Sequence, residues 1–214
     1  MVASQIHLIR HGEVENPEGI LYGRLPNYGL SDLGHEMARL AAADLVARRR
    51  GVTAVYVSPL QRAQQSAQPI SQAFELPIIT DPRVIEPTNK FEGLVLDGPN
   101  SVTKNPKYWP WLVNPLRPSW GEAYASVRIR MLAAMTDAYN SVDDGDVVIV
   151  SHQLPIWTTH LTLAGKPMFH NPRHRRCSLS SITTFARIGN AFEEIGYSDP
   201  ALAVSARAKD VGAV

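Results

Sequence analysis

Arg10-His11-Gly12 closes an apolar segment, Gln5-Ile6-His7-Leu8-Ile9, and these residue types at a strand end suit attack on phosphorus. The imidazole is the nucleophile, and the guanidinium beside it is a fixed cation whose planar donors match phosphoryl oxygens. Gly12 has no Cβ, which lets backbone approach a bound group closely. Two further segments carry matching chemistry, Ser58-Pro59-Leu60-Gln61-Arg62-Ala63 and Val150-Ser151-His152, each after its own apolar run. Arg10, His11, Arg62 and His152 in one place would bury several cations without enough carboxylates. A phosphate supplies the missing counter-charge.

Those residues need a scaffold that gathers them at one edge. Residues 4–9 read as a first strand, followed by a Gly/Pro/Asn-rich loop from Asn16 to Gly29. Ser31 is placed to cap a helix whose apolar face is Leu33, Met37, Leu40, Ala41 and Leu45. Arg48-Arg49-Arg50-Gly51 reads as that helix's end, with cations on the negative dipole and a terminating glycine, rather than as a polyanion site. Thr53–Val57 is a second strand, and Pro59 sits at the first position of a helix running to Phe74. A short strand at Pro77-Ile78-Ile79 precedes residues 93–121, where Pro99, Pro106, Pro110, Pro115 and Pro118 break regular structure. A helix over 121–141, a strand over 146–150 and paired strands at 179–187 and 191–197 complete the order. The segment after Asp199 is weakly patterned and is expected to be a mobile tail over 199–214.

Alternating strands and helices predict an α/β protein, a three-layer αβα sandwich around a mostly parallel sheet, with one domain over residues 1–198. Ligands collect beyond the carboxyl ends of such strands, where the three motifs fall. The 214 residues, 44% of them hydrophobic, suffice for one core. A net charge of +1 argues against general nucleic-acid binding, and no apolar run approaches membrane-spanning length. Met1-Val2-Ala3-Ser4 leads straight into a strand without signal-peptide features, and the single Cys177 cannot form an internal disulfide. The expectation is a cytoplasmic protein, with a homodimer as the assembly to consider.

The motifs resemble those of the histidine phosphatase superfamily, also called phosphoglycerate mutase-like. Arg10-His11-Gly12 is its hallmark, and Glu13-Val14-Glu15-Asn16 is similar to its Gly-Glu-Thr-x-x-Asn segment with one residue fewer. Tyr22-Gly23-Arg24, Leu30-Ser31-Asp32-Leu33-Gly34 and Ser58-Pro59-Leu60-Gln61-Arg62-Ala63-Gln64-Gln65-Ser66-Ala67 follow in the family's order, and Val150-Ser151-His152 is its second histidine motif. The likeness spans about residues 5–185. It implies His11 as a nucleophile forming a phosphohistidine, with Arg10, Arg62 and His152 holding the phosphoryl oxygens. Gly12 and the Gln153 backbone N–H would contact the phosphate, while Asn16 and Gly23 would line the entrance. No metal and no cofactor is expected, and the partner would be a small phosphorylated substrate, neither nucleic acid nor membrane.

The same family places a proton-donating glutamate between the second and third motifs. Arg83-Val84-Ile85-Glu86-Pro87-Thr88-Asn89-Lys90-Phe91-Glu92-Gly93 corresponds, one residue short and without the inner glycine. Glu86 is the choice, since an apolar pair before it would aim it off a strand end, and Glu92 is the runner-up. Gln153-Leu154 replaces the usual glycine after the second histidine. Lys90, Arg128 and Arg130 could stand for the mutase branch's carboxylate-binding cations, but their spacing does not fit. The reading is therefore a phosphatase, with a mutase or a non-catalytic phospho-ligand module as alternatives.

Four features remain. Asp144-Gly145-Asp146 precedes a strand and reads as a turn. His170 and His174 straddle Pro172, which breaks the helix a metal pair would need, and His7 is structural. Trp109, Trp111 and Trp120 make the 93–121 insertion either a lid or an aromatic anchor. Arg173-His174-Arg175-Arg176 is either a solvated loop or a site for a second anionic group.

Overall fold

The computed structural model describes residues 2–96, 102–112, 120–171 and 174–210. Six strands form one mixed sheet in the order β3-β2-β4-β1-β5-β6. They are β1 Gln5–Arg10, β2 Val52–Val57, β3 Ile78–Thr80, β4 Asp146–Ser151, β5 Ile182–Ile188 and β6 Ala191–Ser198. The pairs β1·β4, β2·β4 and β2·β3 are parallel, while β5 runs antiparallel to both β1 and β6. Every residue of β4 is buried, as a central parallel strand covered on both faces requires.

Helices cover both faces. Ala41, Ala42 and Leu45 of α1 (Asp32–Ala47) and Ala63, Ala67 and Ile70 of α2 (Gln61–Phe74) pack on Ile9, Val55, Val57, Val148 and Val150. The opposite face carries α3 (Tyr124–Asn140) and α4 (Gln153–Leu163), whose Val127, Met131, Met135 and Ile156 meet Ile6, Leu8, Val147 and Ile149. The alternation of strand side chains thus divides one apolar core into two layers.

Several local expectations change. Ser31 does cap α1, its Oγ accepting the Gly34 N–H at 3.0 Å. The helix then ends at Ala47, and Arg49 rather than Gly51 takes the left-handed conformation, with φ 53°. Arg50 is not a dipole cation: its Nε donates to the buried Asp146 at 2.5 Å. Asp146 also bonds the buried His7, at 3.1 Å from Nε2, so the turn at Asp144-Gly145 leads into a structural cluster. Helix α2 starts at Gln61 with Leu60 as its cap, two residues later than Pro59 suggested. Glu86 does not come directly off a strand end: a 3₁₀ turn, Pro82–Val84, and an extended Ile85 follow β3 and present it instead.

Of the 93–121 insertion, Pro99, Pro115 and Pro118 lie outside the described residues. The described part holds 3₁₀ turns at Val102–Lys104 and Pro106–Leu112. Tyr108, Trp111 and Trp120 pack around Phe91, Val102 and Leu21, which makes this part an aromatic anchor. The segment after Asp199 makes packed contacts as far as Asp210. Ala201 is fully buried against Met37 and Leu179, a short helix α5 spans Leu202–Ser205, and residues 211–214 lie outside the described residues. Among the described residues no helix is long and apolar enough to cross a membrane.

Candidate active site

The register of β1 and β4 builds the site. Arg10 pairs with Ser151 across the two parallel strands, so His11 and His152, each one residue further on, emerge side by side. Their rings lie 5.1 Å apart between centroids. Strand β2 flanks β4, and the Ser58 N–H donates to Val150 O at 3.0 Å. That places Ser58 Oγ 2.7 Å from His152 Nε2 and sends the first turn of α2, with Arg62, over His11.

His11 is almost fully buried, and its Nδ1 lies 2.7 Å from Gly12 O. A carbonyl only accepts, so Nδ1 carries the proton and Nε2 keeps its lone pair. Arg62 Nε donates to that lone pair at 3.3 Å, and Arg62 Nη2 holds Gly23 O at 2.7 Å. Burial holds the His11 pKa well below its ordinary value, and the charges of Arg62 and Arg10 push the same way. Burial and Arg62 also lower the His152 pKa. Both imidazoles are therefore neutral, and His152 Nδ1 is buried without a hydrogen-bond partner among the described residues.

Arg10 is buried, and Asp210 grips its Nη1 and Nη2 at 2.7 and 2.5 Å. Burial opposes the Arg10 charge, but Asp210 more than compensates and raises the pKa above the ordinary arginine range. The Arg62 guanidinium lies over the Tyr22 ring, 4.7 Å from its centroid. Burial lowers the Arg62 pKa, with Tyr22 and Glu86 acting against it.

Glu86 is buried at the same pocket, its Oε2 3.6 Å from His152 Nδ1. Arg24 Nε holds the Glu86 carbonyl at 2.5 Å and fixes the loop. Burial raises the Glu86 carboxyl above its ordinary pKa, against the pull of Arg62, Arg175 and Arg10. Glu92 is occupied elsewhere: its Oε1 accepts the backbone N–H of Arg24 at 3.1 Å and of Asn89 at 3.3 Å.

Arg10, His11, Gly23, Arg62, Glu86 and Gln153 line one pocket together with Leu21 and Tyr22. Gly23 needs its φ of +40°, and an added Cβ would lie 2.3 Å from Glu92. Gln153 is the first residue of α4, so its N–H lacks an intrahelical partner, and its Oε1 accepts from Arg175 Nη1 at 3.2 Å. One residue is placed differently from expectation. Gly12 packs on backbone of the protein itself, since a Cβ there would meet Gly34 O at 2.4 Å, and its N–H is held by Ser66 Oγ at 3.1 Å. Asn16 spends its amide on Ile20, at 2.9 and 3.2 Å, and lines a neighbouring cavity of about 220 Å³ with Glu13, Tyr22 and Lys209.

Sequence reasoning missed Tyr22, Arg175 and Asp210 as parts of the site. Of the basic loop, Arg173 lies outside the described residues, Arg176 pairs with Glu194, and Arg175 is buried beside Gln153. Arg175 Nε donates to His170 Nε2 at 2.8 Å. The basic run was the signal for Arg175; Asp210 had none. Burial pushes the Cys177 thiol up to about 11, so this residue serves the site only through its carbonyl, which accepts from Arg10 Nη1 at 2.7 Å. Among the described residues no group of three His, Cys, Asp or Glu side chains is arranged to hold a metal ion.

The family model described as histidine phosphatase superfamily (branch 1) matches residues 6–196, and the chain belongs to that superfamily. It is 46% identical to the uncharacterized protein Rv0525 of Mycobacterium tuberculosis, over 92% of this chain and 97% of that protein. An Enterobacter protein named "Probable phosphoglycerate mutase GpmB" is 32% identical, over 83% of this chain and 84% of its own length. The solved phosphoserine phosphatase of Entamoeba histolytica in complex with 3-phosphoglyceric acid shares the fold, with a TM-score of 0.74 at 22% identity, covering 92% of this chain and 99% of that one. Homologues are phosphatases and phosphoglycerate mutase-like enzymes.

Proposed function

We propose that the chain is a metal-independent phosphomonoesterase that hydrolyses a small phosphorylated metabolite through a phosphohistidine at His11. The observation that carries the reading is the unprotonated Nε2 of His11, its proton fixed on Nδ1 by Gly12 O and its lone pair held by Arg62 Nε at 3.3 Å, in a pocket walled by two buried arginines. Nε2 attacks phosphorus, the P–O bond to the leaving group breaks, and Glu86 protonates the departing oxygen. Glu86 then takes a proton from water, which attacks the phosphohistidine and returns His11 with inorganic phosphate. Arg10, Arg62, His152 and the Gln153 N–H hold the phosphoryl oxygens as their charge rearranges. The cavity of about 220 Å³ beside Tyr22 suits a small leaving group.

The mutase is the rival reading, and the placement of the cations favours the phosphatase. Lys90 is exposed beside Trp111, Arg128 is exposed, and Arg130 is spent on Glu122 at 3.0 Å and Arg83 O at 2.5 Å. None lines the pocket, which leaves a sugar-acid carboxylate without those partners. Phosphate release across a panel of phosphorylated metabolites tests the proposal. Wild type should release phosphate in EDTA and the folded His11→Ala variant should not. Activity lost to chelation and restored by a divalent ion would refute the mechanism.

A further inference from the structure

The C-terminal segment reaches the site by a route that no motif announces. Ala201 is anchored against Met37 and Leu179, with Val204 and Ala208 beside them. Arg207 pairs with Glu36 at 3.1 Å, and the Lys209 N–H donates to Glu13 Oε1 at 2.6 Å. These contacts lay the chain along α1 and across the residues that follow His11. The next residue is Asp210, whose two carboxylate oxygens take Nη1 and Nη2 of Arg10.

A guanidinium carries five N–H donors in two usable forks, an end fork of Nη1 and Nη2 and a side fork of Nε and Nη2. On Arg10 the end fork is filled by Asp210, and Cys177 O takes a further Nη1 donor. Nε is buried and has no partner among the described residues. We propose that Asp210 is a positioning residue, gripping the end fork of Arg10 so that its side fork is presented to the phosphoryl group. This rests on reading the pocket as a phosphoryl site.

The carboxylate belongs beside an anion site for a geometric reason. A fork-to-fork pair fixes both the plane and the edge of a guanidinium, which a single carbonyl contact does not. Asp210 is 38% exposed, so water and salt screen its repulsion for a phosphoryl group, whereas the orientation it imposes on Arg10 is unaffected by screening.

Calorimetric binding of inorganic phosphate separates the outcomes, because it needs no turnover. Asp210→Ala should weaken phosphate binding by about ten-fold or more, as expected when the orientation of a charged donor is lost. With p-nitrophenyl phosphate, KM should rise by a similar factor and kcat should change less. Asp210→Glu should recover most of the loss and melt close to wild type, whereas Asp210→Ala, which leaves Arg10 buried without its counter-ion, should melt lower while staying folded at the assay temperature. Unchanged phosphate binding in Asp210→Ala would overturn the role. Tighter binding would overturn it too, by showing that the carboxylate competes with phosphate for Arg10. A wild type that binds no phosphate would instead overturn the phosphoryl-site reading and this proposal with it.

Discussion

Replacing Glu86 with glutamine should slow hydrolysis in proportion to how badly the leaving group needs a proton. Glutamine keeps the size and polarity of the side chain but delivers no proton. The neighbouring protic groups are poor substitutes: His152 lies 3.6 Å away with its pKa lowered, Glu92 is engaged with backbone N–H groups, and burial raises the pKa of the Tyr22 phenol above its ordinary value. The full contribution of a positioned general acid should therefore be lost, about 1,000-fold in kcat for an alkyl phosphate, or roughly 4 kcal/mol of barrier. An aryl phosphate with a good leaving group should lose about ten-fold or less, because its oxygen departs without help. The pH profile adds a sign. The acid works only while protonated, and burial raises its pKa, so wild-type turnover of alkyl phosphates should fall as pH rises through a value above the ordinary carboxylate range. That limb should vanish in Glu86→Gln. The acid-side limb, set by His11, should stay well below the ordinary histidine range in both proteins. Steady-state rates for the two substrates across pH decide the matter. Equal losses on both would mean that Glu86 positions the substrate, and full activity would move the acid role to Glu92.

The cluster of His7, Arg50 and Asp146 should matter for stability. Asp146→Ala removes a buried carboxylate from two partners and should cost about 3 kcal/mol in urea unfolding. Burial alone would raise the Asp146 pKa, but the bonds from His7 and Arg50 depress it below its unfolded value. Its stabilising effect should be complete above the unfolded carboxylate pKa and fade as pH falls through the folded one, and the variant should lack that fade. With 3-phosphoglycerate and a trace of 2,3-bisphosphoglycerate, the products should be free phosphate or nothing. Isomerisation to 2-phosphoglycerate about a hundred-fold faster than phosphate release, a barrier difference of roughly 2.7 kcal/mol, would establish the mutase instead.

What could be read from the sequence was whatever repeats locally or lies at an element's end. Apolar runs located β1, β2 and β4, and their carboxyl ends located His11, His152 and the approach of Arg62. Most of the failures depend on a distant part of the chain, and one on local turn chemistry. Gly12 is small because Gly34 passes over it, and nothing adjacent in sequence says so. Arg50 looks like a helix end until Asp146, 96 residues on, arrives beside it. Glu86 resembled the end of a strand because Val84-Ile85 are apolar, yet Pro82 and the Asp81 side chain, bonded to the Arg83 N–H at 2.8 Å, favour a 3₁₀ turn. The segment past Asp199 has little apolar patterning because a buried alanine with Val204 and Ala208 beside it, two ion pairs and a backbone hydrogen bond hold it to distant residues.

Arg62 shows why such a site would be kept despite its cost. Arg10 has Asp210 as a counter-ion, but Arg62 has no carboxylate within ion-pair distance among the described residues. Its partners are a carbonyl, a neutral imidazole and the face of Tyr22. Burial of a cation against such partners is unfavourable, and the lowered Arg62 pKa expresses that strain. A core position would be more stable with a packed aliphatic residue. The arrangement becomes favourable once a doubly charged phosphoryl group occupies the pocket, and more so as charge spreads over its oxygens during transfer. Burial lowers the His11 pKa and the same unbalanced charge pushes it further down, which keeps the imidazole unprotonated. On the proposed mechanism Arg62 would serve twice, by drawing the phosphoryl group in and by adding to burial in keeping His11 unprotonated.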